Sequence, residues 1–208
     1  MAAALTVTCV YKPGNGFTDE YVYRLREGIA RHLQTPHRFV VLTNRRFEDF
    51  ETIPLEPGVD GWWNKLALWR ANQFTGRVWY FDLDTMIVGD ITDIVEVPQE
   101  FAMLRDFYHP ERAASGLMAW NADLDWSHLT HGFTRQASAQ YMTKERWGDQ
   151  GWVSERLLDR PLLLQDQFPG RIASYKVERK KQGKMPDTAS IICFHGKPRP
   201  ADIGWRLP

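Results

Sequence analysis

Short apolar runs alternate along this chain with stretches in which apolar residues return every three or four positions. Leu5 to Tyr11 is a β-branched run, and it stops at Pro13-Gly14-Asn15-Gly16, a loop signal. Thr18 follows as a predicted N-cap, with Asp19 and Glu20 suited to the positive end of a helix. Val22, Leu25, Ile29 and Leu33 recur at helical spacing and predict one buried face. Phe39 to Leu42 predicts a second strand, closed by Thr43 and Asn44. The polar stretch holding Pro54, Pro57 and Gly58 predicts loop. Trp62, Leu66, Trp69 and Phe74 then predict a helix that Gly76 ends as a C-cap.

Val78-Trp79-Tyr80-Phe81 is the most apolar strand signal, and it delivers Asp82-Leu83-Asp84 at its end. Phe101 to Leu104 and Leu117 to Trp120 predict further strands. Trp126 to Arg146 reads as helical, and a second helix is predicted from Asp149 through Leu158. Leu162 to Leu164 and Ser190 to Phe194 complete the strands. This alternation predicts an α/β layer fold around a mostly parallel sheet. No repeat, low-complexity tract or linker interrupts it, so residues 1–208 read as a single domain.

Composition narrows the class. The 208 residues are 43% hydrophobic and 25% charged, ordinary for a globular protein. No apolar run approaches the roughly 18 residues of a membrane helix. The start, Met1 to Val10, lacks the basic flank of a secretory signal, so the expected location is the cytoplasm. Net charge is zero, which gives no whole-surface attraction for nucleic acid or acidic membranes. Lys176, Arg179, Lys180, Lys181, Lys184 and Lys197 nevertheless cluster between Arg171 and Arg199, either as a solvated basic loop or as a local phosphate-facing patch. Cys9 and Cys193 sit in apolar runs and read as buried free thiols.

The candidate chemistry starts at Asp82 and Asp84. A strand ending in two carboxylates one residue apart puts both charges at the sheet's C-terminal edge, where open α/β sheets bind ligands. Such a pair repels itself, and a divalent cation relieves the repulsion. Oxygen donors suit magnesium or manganese, and an added imidazole tilts the choice to manganese. His195 supplies an imidazole at the end of another strand, followed by Gly196, Lys197, Pro198, Arg199 and Pro200. Glycine permits close backbone approach, lysine suits a phosphate, and the prolines stiffen the loop.

The run Tyr80 to Ile91 resembles the Asp-x-Asp region of glycosyltransferases with the GT-A fold, in particular the group containing glycogenin and the lipopolysaccharide galactosyltransferases. Four more segments match that group in order: Lys65 in Trp63-Asn64-Lys65-Leu66, Ser115-Gly116 with its apolar run to Asn121, Asp149-Gln150, and Phe194-His195-Gly196-Lys197-Pro198. The chain departs from the pattern at Ala114, where the group has asparagine, and in the compact His195-Gly196-Lys197 spacing, which leaves Lys197 and Arg199 both open as the phosphate contact.

The resemblance implies a GT-A domain that moves a sugar from a nucleotide-diphosphate donor, usually UDP-linked, to a hydroxyl acceptor with retention. It implies Asp82, Asp84 and His195 as ligands of manganese or magnesium. Tyr11 would lie near the base and Lys65 near the phosphates, with Leu83 also among the donor-binding residues. Gly196 and Lys197 would hold the leaving diphosphate. Asp106 would face the donor sugar, with Asp149 and Gln150 near the anomeric carbon. Trp62, Trp63, Trp147 and Trp152 suit either core packing or sugar stacking, with Trp147 and Trp152 the best placed for an acceptor platform. The acceptor itself stays open among a glycan, a lipid-linked sugar, a protein hydroxyl and a modified nucleobase. Two alternatives accompany this reading. Phe-Asp-Leu-Asp-Thr at 81–85 also resembles the nucleophile loop of haloacid dehalogenase-like phosphatases, and the fold could serve as a non-catalytic nucleotide-sugar-binding module.

Overall fold

The computed structural model describes residues 5–14 and 16–204; residues 1–4, Asn15 and residues 205–208, with the parts of the start and loop readings that fall on them, lie outside the described residues. The described residues form ten strands: β1 (Leu5–Tyr11), β2 (His37–Thr43), β3 (Glu51–Ile53), β4 (Arg77–Phe81), β5 (Thr85–Ile87), β6 (Phe101–Arg105), β7 (Ala113–Asn121), β8 (Leu162–Leu163), β9 (Ile172–Ser174) and β10 (Ile191–Cys193). The α-helices are α1 (Asp19–His32), α2 (Thr92–Val95), α3 (Arg135–Gln140), α4 (Gly148–Arg156), α5 (Leu164–Gln167) and α6 (Tyr175–Gln182).

The main sheet has the order β3-β2-β1-β4-β7-β6-β8. β1 pairs parallel with β2 and β4, and β2 with β3, while β7 is antiparallel to both neighbours β4 and β6. β8 is parallel to β6, so β7 alone runs against the rest. That reversal brings the start of β7 to the same edge as the ends of β1, β4 and β6. A small sheet, β5-β10-β9, joins the segment after Asp84 to the C-terminal part of the chain.

Each face of the main sheet carries its own core. On one, Leu5, Val7, Cys9, Trp79 and Phe81 pack with Val22, Leu25 and Ile29 of α1. On the other, Val78, Tyr80, Met103, Met118 and Trp120 pack with the segment 61–69 and with Trp152 and Val153 of α4. Successive strand residues point to opposite faces. Asp82 therefore continues the Val78–Tyr80 face, toward residues 61–69. Gly28 permits the close approach of α1 to β5, since a Cβ there would stand 3.2 Å from Cβ of Ile87.

Several expectations change. Thr18 is the N-cap of α1, but its side chain makes no capping hydrogen bond. The segment 61–69 is a 3-10 helix that ends at Arg70, short of Phe74, and Gly76 instead turns the chain into β4 with φ 68°. Residues 126–146 are broken: a 3-10 turn at Ser127–Leu129, a left-handed Gly132, and short α3 started by Thr134, whose hydroxyl accepts from Ala137 N. Lys176, Arg179, Lys180 and Lys181 of the basic stretch lie on helix α6, not loop, which Ser174 caps and left-handed Gly183 ends, while Lys184 and Lys197 stay outside it. Cys9 and Cys193 are buried free thiols, as expected, and burial pushes both thiol pKa values up.

Candidate active site

The C-terminal edge of the main sheet opens into a cavity of about 990 Å³. Among its lining residues are Lys65, Asp82, Leu83, Asp84, Asp106, Asp149, Gln150, His195 and Gly196, drawn from five separate segments of the sequence. The apolar strands supply the rigidity. Asp82 N donates to Gly116 O at 2.9 Å and so extends the β4–β7 ladder one residue beyond β4.

At the centre stands Lys65, only 8% exposed. Its Nζ lies 2.9 Å from Oδ1 of Asp82 and 3.3 Å from Oδ2 of Asp149. Nζ also donates to Oγ of Ser115 at 3.1 Å, and that hydroxyl donates to Oδ2 of Asp149 at 2.6 Å. Tyr80 donates its hydroxyl to Oδ1 of Asp82. One ammonium thus serves two carboxylates. Burial pushes the Asp82 carboxyl up to about 6; Lys65 and Tyr80 oppose this, and Asp84 adds to it. Burial opposes the Lys65 charge, yet Asp149 and Asp82 together hold its pKa above the ordinary lysine value. The asymmetry follows from sharing: Lys65 gains from both acids, whereas Asp82 has only part of Lys65.

Asp84 meets the C-terminal motif. Phe194 N donates to Asp84 O at 3.2 Å, and Gly196 N donates to Oδ2 of Asp84 at 3.1 Å. Gly196 has φ 97°, a conformation that favours glycine, and His195 itself has φ 37°. The His195 ring is held on three sides. Phe107 stacks on it with centroids 5.4 Å apart, Tyr108 approaches edge-on at 5.5 Å, and Nε2 is 2.6 Å from Oγ of Ser174. Asp106 builds the loop that carries these aromatics, because its Oδ1 accepts from the N–H groups of Tyr108 and His109 at 2.7 and 2.8 Å. Burial, with the Lys176 ammonium nearby, brings the His195 imidazole down to about 4, against a smaller opposite pull from Asp84 and Asp106. His195 is therefore neutral at neutral pH.

The donor set of two carboxylates and one neutral imidazole, facing one cavity, suits manganese or magnesium by its chemistry. Among the described residues, no three acidic, histidine or cysteine side chains are gathered closely enough to hold a cation as arranged. Asp82 is engaged by Lys65 and Tyr80, and His195 by Ser174.

Two expected site residues lie elsewhere. Tyr11 is buried on the α1 side, its hydroxyl donating to Asp19 at 2.7 Å, while its neighbours Val10 and Lys12 line the cavity. Lys197 is exposed and outside the lining, which Arg199 enters instead. The tryptophans also sort differently. Trp152 is fully buried and donates to Leu129 O at 2.7 Å, and Trp63 belongs to the same core. Trp62, 49% exposed, lines the cavity. Trp147 lies in a neighbouring cavity of about 730 Å³ that shares Gln150 with the first, and Arg112 sits 4.1 Å from its ring centroid. Residues missed by the sequence reading are Tyr80, Phe107 and Tyr108; Ser115 was matched by position, but not its bridge between Lys65 and Asp149.

This architecture is the GT-A fold of glycosyltransferases. Among solved structures, the chain superposes on GlyE of Streptococcus pneumoniae TIGR4, with a TM-score of 0.63 and 16% identity over 96% of this chain and 56% of GlyE. LgtC, a galactosyltransferase solved with donor and acceptor sugar analogs, gives 0.63 and 11% over 94% of this chain and 88% of LgtC. The bifunctional glycosyltransferase WbbM gives 0.60 and 13% over 96% of this chain and 47% of WbbM. The chain thus spans just over half of GlyE and less of WbbM, but most of LgtC. No protein-family model matches the chain, and no curated protein sequence matches it. No helix among the described residues is long and apolar enough to cross a membrane.

Proposed function

We propose that this chain transfers a glycosyl group from a nucleotide-diphosphate sugar, with UDP as the expected nucleotide, to a hydroxyl acceptor. The single observation that carries the reading is the cavity itself: Asp82, Asp84, His195, Lys65, Asp106, Asp149 and Gln150 converge on one sheet edge of a GT-A fold. Asp82, Asp84 and His195 would hold manganese or magnesium, which would supply positive charge to the donor's diphosphate oxygens.

The chemistry follows from charge. The bond between the sugar's anomeric carbon and the diphosphate oxygen breaks, a bond from that carbon to the acceptor oxygen forms, and the acceptor's proton passes to the departing diphosphate. Negative charge grows on the diphosphate and positive character on the sugar ring. Lys65 and Ser115 hold Asp149 in the cavity, where its carboxylate would favour the positive ring. Gly196 gives its N–H to Asp84 and, lacking a side chain, would leave room for the leaving group to approach. Gln150 orients the sugar with its amide. No strong side-chain base is required, which accords with retention of anomeric configuration.

The phosphatase alternative finds no support among the solved structures the chain superposes on, which are glycosyltransferases. The test is a thermal-shift screen of nucleotide sugars with and without manganese, followed by an acceptor screen. A metal-dependent shift with one nucleotide sugar, plus transfer or donor hydrolysis, is expected. Binding without either turnover would favour a binding module, and hydrolysis of a generic phosphoester without nucleotide-sugar binding would favour a phosphatase.

A further inference from the structure

Lys65 has more acceptors around it than hydrogens to give them. Five oxygens lie within 3.3 Å of its Nζ: both carboxylate oxygens of Asp82, the carbonyl and hydroxyl oxygens of Ser115, and Oδ2 of Asp149. An ammonium has three N–H groups. If Asp82 turns away, three oxygens remain, one for each N–H, and Nζ stays satisfied where it is. Asp82 is also the partner that faces the cavity. Its side chain is 29% exposed, against 9% for Asp149 and 10% for Lys65. A cation arriving through the cavity therefore reaches Asp82 and leaves the Lys65–Asp149 pair behind it. Tyr80 can keep its bond to Oδ1 of Asp82 throughout, because a carboxylate oxygen accepts more than one hydrogen bond. Charge points the same way. Asp82, Asp84 and Asp149 carry three negative charges and Lys65 one positive, and the two left over are what one divalent cation balances.

We infer that Lys65 is a placeholder on Asp82: it releases that carboxylate to a divalent cation and turns wholly to Asp149 and Ser115. The inference rests on the proposed function and adds that Lys65 competes with the cation for Asp82. The N–H groups of Lys65 are then all used inside the protein rather than on the donor's phosphates. Cation binding and the hold of Lys65 on Asp149 are linked, so strengthening either strengthens the other.

The test titrates manganese into the intact chain by calorimetry, with UDP in fixed excess. Lys65→Met removes the competitor and is expected to bind manganese about tenfold more tightly, the worth of one charged hydrogen bond. A lysine engaged with the phosphates would give weaker binding instead. Ser115→Ala changes no charge but takes away one oxygen that Lys65 turns to, so manganese should bind about threefold to tenfold more weakly. That weakening should disappear when Lys65→Met is added, which simple repulsion between Lys65 and the cation does not predict. Equal or weaker manganese binding in Lys65→Met, an unchanged affinity in Ser115→Ala, or a weakening that persists beside Lys65→Met overturns the inference and leaves the proposed function standing. Should Lys65→Met fail to fold, Ser115→Ala alone decides. A wild-type chain that binds no manganese with UDP present overturns both.

Discussion

Gly196 donates its backbone N–H to Oδ2 of Asp84 at 3.1 Å, across 112 positions of the chain. This bond joins the acidic motif after β4 to the glycine motif after β10. The antiparallel pairing of β5 with β10 makes it, because Cys193 lies opposite Thr85 and the two chains leave the small sheet side by side. His195 is thereby carried to the cavity by backbone geometry rather than by its own side-chain contacts.

Asp84→Asn tests that junction against chemistry. Asparagine keeps an oxygen for Gly196 N–H, so the fold is expected to survive with unfolding stability near wild type. The metal-dependent part of nucleotide-sugar stabilisation should vanish, a loss of about 2.7 kcal/mol at ligand a hundredfold above its Kd. Thermal shift with and without manganese reads it, and an unchanged shift removes Asp84 from the site.

Lys65→Met leaves Asp82 and Asp149 facing each other without their shared cation. Removing one partner from a buried ion pair costs about 3–5 kcal/mol. The Asp82 side chain keeps 29% of its surface exposed, so water screens part of the effect and the low end, about 3 kcal/mol, is expected. Without Lys65, the Asp82 pKa rises further above its already raised value. The folded state then binds its proton more readily than the unfolded chain, so the loss shrinks as pH falls through that pKa. Urea unfolding at pH 7.5 and pH 5.5 should show the smaller deficit at the lower pH, and equal deficits would contradict it.

Cation affinity should depend on pH through Asp82 rather than His195. The carboxyl, raised to about 6, must lose its proton to bind a cation, whereas the imidazole, lowered to about 4, is already free of its proton across that range. Manganese affinity is expected to be level above pH 6 and to fall about tenfold per pH unit between 6 and 4. Titration calorimetry across that range checks it. A midpoint near the ordinary histidine value, abolished by His195→Gln, would contradict the assignment.

Trp62 and Trp152 should behave oppositely. Trp152, fully buried among Trp63, Phe133 and Tyr141, is expected to cost about 3–5 kcal/mol on truncation to alanine. Trp62→Ala should leave stability within about 0.5 kcal/mol, since nearly half of the side chain is in solvent, while KM for donor or acceptor rises. Denaturation paired with steady-state kinetics separates the two.

Much of the site was legible because strand ends are. A four-residue apolar run before Asp82 and a three-residue run before Phe194-His195 needed no tertiary information to locate the sheet edge. Tyr11 was misplaced although period-two alternation was available: Val10 and Lys12 share a face, so Tyr11 had to point the other way. Helix α6 escaped because its eight residues are mostly charged and Val177 alone is buried, leaving no apolar period to read. The break within 126–146 depends on a left-handed Gly132 and on Thr134 capping a new helix, local choices that a helical average hides. Lys65 as a bridge between Asp82 and Asp149 was out of reach, because it requires β7 to run backwards and deliver Ser115 beside β4.

The central claim is that His195 joins Asp82 and Asp84 around one cation. Pulsed electron paramagnetic resonance of manganese bound with UDP measures it directly, through the coupling of the metal's electron spin to an imidazole nitrogen. The account predicts that coupling in the wild-type chain and its disappearance in His195→Gln, with phosphorus coupling retained. Manganese bound with UDP but showing no nitrogen coupling in the wild type, or the same coupling after His195→Gln, would contradict it.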